Sequence, residues 1–583
     1  MNHSHRSLFL ILAIALFSTI SVYAQTQQDK TQPDKEEVAA LREKAFKILD
    51  SVAGQLTTLQ SAENRARIGA NLVESLWKHD EERARSLLRV VQEDIRTELQ
   101  KRDGETRYDV RFNVFLKLRI DTVERIAKYD GQAAYDFLKV TEPVLANQEP
   151  YDFRHNEQAL ELKLAKQIAV NNPDIALKLG RQALRQGLNP DVLKVLSTLG
   201  RKHKEQANVL YKEIVEKLPD ADIAEAWNNR EFVLSLIRYY EPPDVDESTY
   251  RQLVGHVVTM ALERGCGKKP SQEAENESDG FCQWAAVTLS RAERYDSRIA
   301  RIKPWFTGEL ESWRLGHVFE QAQELLQERA YDQLEALLTK YPLLQDGIRH
   351  QVILHALSSG DSDRARKLID ALPGDDPERR QALLEQVESY EKRNTINDET
   401  LAKIQAELEQ ILDDKARAIH LLSLASRLNT IDQKVSVKFL TQARDVIANL
   451  KPGKDQTEMR LALAMLYCQQ KNDRGFTIME SLLPKLNELI EVAVRLDGFD
   501  TNYLRDGEWN MSANGSVGEI LTILSARAGH FAWLDLDRAV NLASQFERPE
   551  IRLMAYLKLA QSILAGPPPP FGEFRRYGYF SFH

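Results

Sequence analysis

The sequence predicts an all-α fold, an α-solenoid of stacked antiparallel helical hairpins, and three observations carry that expectation. Apolar residues recur at helical spacing from about residue 37 to 565, and strand-like alternation is hard to find. One apolar stripe, followed by one kind of helix-start residue, returns every 33 to 40 residues through part of the chain. Only 26 Gly and 20 Pro interrupt 583 residues, 43% of them hydrophobic, which excludes a wholly disordered or collagen-like chain.

The first element is a secretory signal. His3, His5 and Arg6 form a short polar and basic start, Leu8 to Phe17 is unbroken apolar, and Val22-Tyr23-Ala24 offers a small-residue cleavage site. Ten apolar residues are too few for a membrane span, although an uncleaved anchor remains the alternative. No Cys near Ala24 could carry a lipid. Cleavage removes Arg6 and no acid, so the mature balance is 77 basic against 87 acidic residues, or −10. A basic nucleic-acid footprint is absent. The expected location is therefore periplasmic or secreted. Residues 25–36 follow as a polar linker.

The array is expected over 37–565. With position zero at Arg65, Glu157, Asp346, Arg417 or Thr457, offsets 7, 8 and 11 are all apolar. They are Leu72, Val73 and Leu76; Leu164, Ala165 and Ile168; Ile353, Leu354 and Leu357; Leu424, Ala425 and Leu428; Ala464, Met465 and Cys468. Offset 15 is Asp80, Asn172, Asp361, Asp432 or Asn472, residue types whose side chains accept from free N–H groups at a helix start. Pro173 after Asn172 suits the first helical position. Four residues past each cap stand Ala84, Ala176, Ala365, Ser436 and Phe476, mostly small enough for paired helices to approach. A copy from Leu188 places His203 at the cap, and looser copies surround Asp130 and Asp535. Because one hairpin cannot bury its apolar faces alone, neighbours are expected to stack.

Two loops break the rhythm. Cys266 and Cys282 flank a polar stretch within 265–283, and an oxidising compartment favours a bridge between them over two free thiols or a metal pair. Two Cys without His partners make a poor zinc site, so no metal or cofactor is expected. Cys468 should be a buried thiol. Residues 497–519 run without a helical stripe, either as a structural plug or as a partner-binding loop using Tyr503, Arg505, Glu508 and Trp509. Trp305 and Trp313 stand eight apart and suit one buried helix face or a hinge. His203, beside Lys202 and Lys204, suits a solvated turn.

The last unit is truncated. Tyr556, Leu559, Ala560 and Ile563 repeat a first-helix stripe, but Pro567 occupies the next cap position, so that helix ends without its partner. Residues 566–583 form a Pro-rich aromatic tail, free, loosely docked, or used as a cap or partner segment.

This pattern resembles the tetratricopeptide class of helical-repeat proteins over most of residues 60–565. The resemblance implies a binding scaffold and carries over no functional residue. The W-x-x-L-G-x-x-Y pattern of that class is absent from these first helices.

Chemistry is mostly missing from the sequence. HExxH, GxSxG, GxGxxG and paired CxxC do not occur, and Gly265-Cys266-Gly267-Lys268-Lys269 lacks the residues of a phosphate loop. The 87 acidic residues spread over amphipathic helices and single out no catalytic pair. The expectation is a noncatalytic exported scaffold that binds protein or peptide. The alternatives are an enzyme or accessory domain acting on envelope polymer, of the lytic transglycosylase superhelix type, and a self-assembling structural protein.

Overall fold

The computed structural model describes residues 35–101, 110–142, 151–221, 223, 226–268, 277–305, 345–358, 362–370, 377–394, 398–429, 432–499, 501–513 and 515–568, with isolated positions between 322 and 337. The expected signal peptide, Trp313, Asp361 and most of the tail lie outside these residues. The fold is all-α, with a single pair of two-residue strands among the described residues. Contacts divide the chain into two compact units, Met1–Ile68 with Val318–His583, and Gly69–His317.

In chain order the helices begin with α1 (Lys35–Gln55) and α2 (Ala62–Leu76), and the unit boundary falls inside α2. The unit 69–317 continues with α3 (Glu81–Gln100), α4 (Val110–Ala127), α5 (Gly131–Val140), α6 (Tyr151–Ile168), α7 (Pro173–Gln186), α8 (Asp191–Lys202) and α9 (Lys204–Lys217). It closes with α10 (Trp227–Tyr239), α11 (Glu247–Glu263) and α12 (Glu277–Leu289). Neighbours in sequence pack as α4 on α5, α6 on α7 and α8 on α9. Alternate helices also touch, α4 with α6 and α6 with α8, and on the other series α3 with α5, α5 with α7 and α7 with α9.

The other unit holds α13 (Gln345–Ser358), α14 (Ser362–Asp370), α15 (Pro377–Asn394), α16 (Asp398–Glu409), α17 (Asp414–Leu428), α18 (Gln433–Asn449), α19 (Lys454–Gln469) and α20 (Arg474–Arg495). Strands β1 (Leu504–Arg505) and β2 (Glu508–Trp509) precede α21 (Ser516–Ala532), α22 (Leu536–Ser544) and α23 (Pro549–Ala565). Here α17, α19, α21 and α23 touch in series, as do α20 and α22.

Local chemistry explains the helix starts. Asp80, Asp130, Asp432 and Asp535 each accept a backbone N–H three residues on, at 2.9 to 3.0 Å. Two expected caps behave differently. Asn172 makes no capping bond from its side chain, and its Oδ1 would stand 2.4 Å from a Cβ at Gly131, so any larger residue there must displace it. At α20 Asp473 occupies the N-cap position without a side-chain capping bond, and it is Asn472, one residue earlier, whose Oδ1 accepts the Arg474 N–H of the first helical residue at 3.1 Å. His203 is half-buried, not a solvated turn residue, because its Nε2–H donates to the Val170 carbonyl at 2.7 Å.

The residues four past the caps are buried throughout, Ala84, Ala176, Ala365, Ser436 and Phe476 alike. Ser436 shows why small polar residues suit this place. Its hydroxyl donates to the Ala425 carbonyl on the preceding helix at 2.6 Å and accepts from Gln470 beyond α19 at 2.5 Å. The apolar stripe is buried in most copies, with two departures. Leu354 is 42% exposed, and Leu424 is half-buried at the edge of the core formed by Leu421, Ala425 and Leu428. Trp305 is buried, but it ends a short 3-10 turn instead of lying on a long helix, and its indole N–H donates to the Lys268 carbonyl at 2.9 Å.

The truncated last unit is completed from the other end of the chain. Helix α23 does have a partner. Helix α1 packs against it and buries Ala45, Leu49 and Val52, spaced to share one helix face. Lys44 adds a 2.6 Å ion pair to Asp537.

Candidate functional site

The four residues singled out as binding candidates sit on one hairpin. Asp506 and Gly507 both have positive φ, 53° and 81°, the backbone of a two-residue turn whose twist matches its flanking strands. Leu504 pairs with Trp509 and Arg505 with Glu508 across it. The Asp-Gly pair between Arg505 and Glu508 is the sequence signal that would have revealed this turn.

The hairpin is anchored on the start of α2. Glu508 accepts the Gln60 N–H at 2.7 Å, the Ser61 N–H at 3.1 Å and the Asn64 side-chain amide at 3.1 Å. In a local capping box, a Glu at the third helical position reaches back to the N-cap N–H. Asn64 holds that position in α2, and Glu508 supplies the carboxylate to the N-cap Ser61 N–H from 447 residues away. Its negative charge also suits the positive end of the helix dipole. One residue earlier on α2, the buried Glu63 carboxylate pairs with Arg505, accepts from Arg67 at 2.8 Å and accepts the Ser512 hydroxyl at 2.5 Å.

The aromatic pair faces inward. Tyr503 and Trp509 are 4% and 3% exposed, with ring centroids 5.5 Å apart. The Trp509 N–H donates to the buried Glu550 carboxylate at 2.7 Å, and its carbonyl accepts from Asn64 at 3.0 Å. Glu550 stands in the first turn of α23, where negative charge is favoured. Thus Tyr503, Arg505, Glu508 and Trp509 are brought together, and each is packed or bonded within this chain. Sequence reasoning missed Glu63, Asn64, Arg67 and Glu550, which complete the cluster from distant positions.

Elsewhere, Cys266 and Cys282 are joined by a disulfide with Cα atoms 5.2 Å apart. Cys468 is a buried thiol that burial pushes up in pKa, an environment that disfavours the reactive thiolate. In the unit 69–317, buried Arg119 clamps Glu157 through two bonds of 2.7 and 2.6 Å, and bonds Thr141 and the Leu138 carbonyl. Buried Glu161, one turn along α6, accepts from Lys139 at 2.7 Å and Gln182 at 2.9 Å. Burial raises the Glu161 pKa against the opposing effect of Lys139. These groups tie α4, α5, α6 and α7 together. Among the described residues, no group of three or more His, Cys, Asp or Glu could hold a metal, and no helix is long and apolar enough to cross a membrane. No protein-family model matches the chain, and comparison with the curated proteins finds no match.

Proposed function

We propose that this protein is an exported, noncatalytic scaffold, an α-solenoid of tetratricopeptide-like hairpins that binds protein or peptide partners. The observation that carries this reading is the alternate-helix packing, in which α4, α6 and α8 line up in one unit and α17, α19, α21 and α23 in the other. Series of like helices present repeated side-chain rows, the kind of surface on which repeat proteins hold extended ligands. The hydrophobic start before Val22-Tyr23-Ala24 supports export, and the Cys266–Cys282 bridge fits an oxidising compartment.

The test begins with cell fractionation and N-terminal sequencing, which should find a chain starting at Gln25 outside the cytoplasm. Affinity capture from the native envelope should then recover a partner that binds the purified protein with saturable affinity. A chain retained in the cytoplasm with Met1 intact overturns export. Light scattering that finds only ordered self-association would overturn hetero-binding in favour of a structural role, and turnover of envelope polymer by purified protein would overturn the noncatalytic reading.

A further inference from the structure

Helix α1 is long but lightly held. None of Lys35–Lys44 is buried, and Ala45, Leu49 and Val52 are the buried residues among all 21. The helix packs chiefly on α23 and on the 3-10 turn Leu56–Thr58 that follows it. Lys44 and Asp537 pair at the surface, 49% and 72% exposed, where an ion pair contributes little. Helix α23 is fixed from other directions as well. It packs on α21, α22 and β2, and Glu550 in its first turn accepts the Trp509 N–H at 2.7 Å. Its buried residues, Ile551, Leu553, Leu557, Leu559, Ala560 and Ile563, spread around the helix instead of following one stripe, so α23 needs cover on more than one side.

We propose that α1 is a releasable strap over a helix-binding seat on α23, and that a partner's amphipathic helix takes the seat when α1 lifts. The hinge is at hand. The chain after α1 is pinned at Ser61, whose N–H donates to Glu508 at 3.1 Å, so α1 lifts about residues 56–59 while α2 keeps its cap. The contacts of α23 with α21, α22 and β2 do not involve α1, so the seat outlasts its release. The resident helix shows what fits there. It offers a small residue and two aliphatic ones at i, i+4 and i+7, with a cation one position ahead for Asp537. Terminal elements with few buried side chains open at low cost, and a preformed seat lowers the ordering penalty of binding. The partner half of this assignment rests on the scaffold reading, whereas release of α1 does not.

Hydrogen exchange on the full chain tests the strap. Amides of 45–55 should be protected on the order of 100-fold less than those of 553–563. Equal protection, with α1 opening only when the whole unit unfolds, overturns it. A fluorescein-labelled peptide of residues 35–56 tests the seat. It should bind the full chain saturably, and Leu49→Asp in the chain should tighten that binding about tenfold by removing the resident competitor. Leu49→Asp in the peptide should abolish binding. No saturable binding to the wild-type chain, whose fold is not in question, overturns the seat even where exchange in α1 is fast. Wild-type dimers that the peptide dissociates would overturn the partner assignment, because a second copy's α1 would then hold the seat.

Discussion

Removing the Glu508 carboxylate should loosen the start of α2. Glu508→Ala deprives three donors of their acceptor, the N–H groups of Gln60 and Ser61 and the Asn64 amide. They are not equivalent. Gln60 is exposed and can turn to water, whereas Ser61 and Asn64 are buried. Asn64 keeps its second bond to the Trp509 carbonyl, so its loss is partial. A buried donor left without an acceptor costs roughly 1 to 3 kcal/mol, and losing a helix cap costs about 1 kcal/mol. The structure therefore implies about 2 to 3 kcal/mol for Glu508→Ala. Glu508→Gln retains one acceptor oxygen without the charge and should fall between the variant and wild type. Urea unfolding should show a lowered midpoint with unchanged slope. Hydrogen exchange read by mass spectrometry should show lost protection in peptides covering 59–68. An unchanged midpoint together with unchanged exchange at Gln60 and Ser61 would refute the idea that Glu508 caps α2.

Trp509→Ala should destabilise the protein by about 3 to 5 kcal/mol, because the ring is buried against Tyr503. Weakened partner capture at wild-type stability would instead make Trp509 a binding anchor. Gly475→Ala would place a Cβ 2.3 Å from Cys468 Sγ and 2.5 Å from the Ala464 carbonyl, so α19 and α20 must part, at about 1 to 3 kcal/mol. Adding Cys468→Ala should recover part of that loss in a double-mutant cycle, and strict additivity would show the two residues are not in contact. Burial first, and then the charge of Arg527, pushes His530 from 6.5 down to about 4. The unfolded chain binds this proton more readily than the folded one, so stability is full above pH 6.5 and falls as pH drops toward about 4. The loss reaches about 3 kcal/mol, and His530→Leu should flatten that limb of the stability profile. An unchanged slope in the variant would remove His530 as its source.

Particular residues show how far local reading went with the fold and the candidate site. Asp80, Asp130, Asp432 and Asp535 were legible as caps because the bond each makes closes within three residues. Asn472 still accepts an N–H at a helix start, two residues on, whereas Asn172 makes no capping bond and its Oδ1 lies close against Gly131 of a neighbouring hairpin. At the site, Tyr503, Arg505, Glu508 and Trp509 could be named as a group because they are adjacent. Their partners could not, because Glu63 and Asn64 lie more than 400 residues away and carry no local mark of the pairing.

The sequence by itself determined the helical character, the Asp80, Asp130, Asp432 and Asp535 caps and most of the small residues where paired helices meet, since each follows from spacing and from bonds that close within a turn or two. Only the tertiary structure decided that α1 is the partner α23 lacks, and that the hairpin around Asp506 and Gly507 caps α2. An amphipathic face or an acidic side chain specifies that it must be buried or bonded, and many surfaces in a helical chain of this length meet that demand. Which one does is settled by the whole set of packed neighbours, not by any stretch of residues.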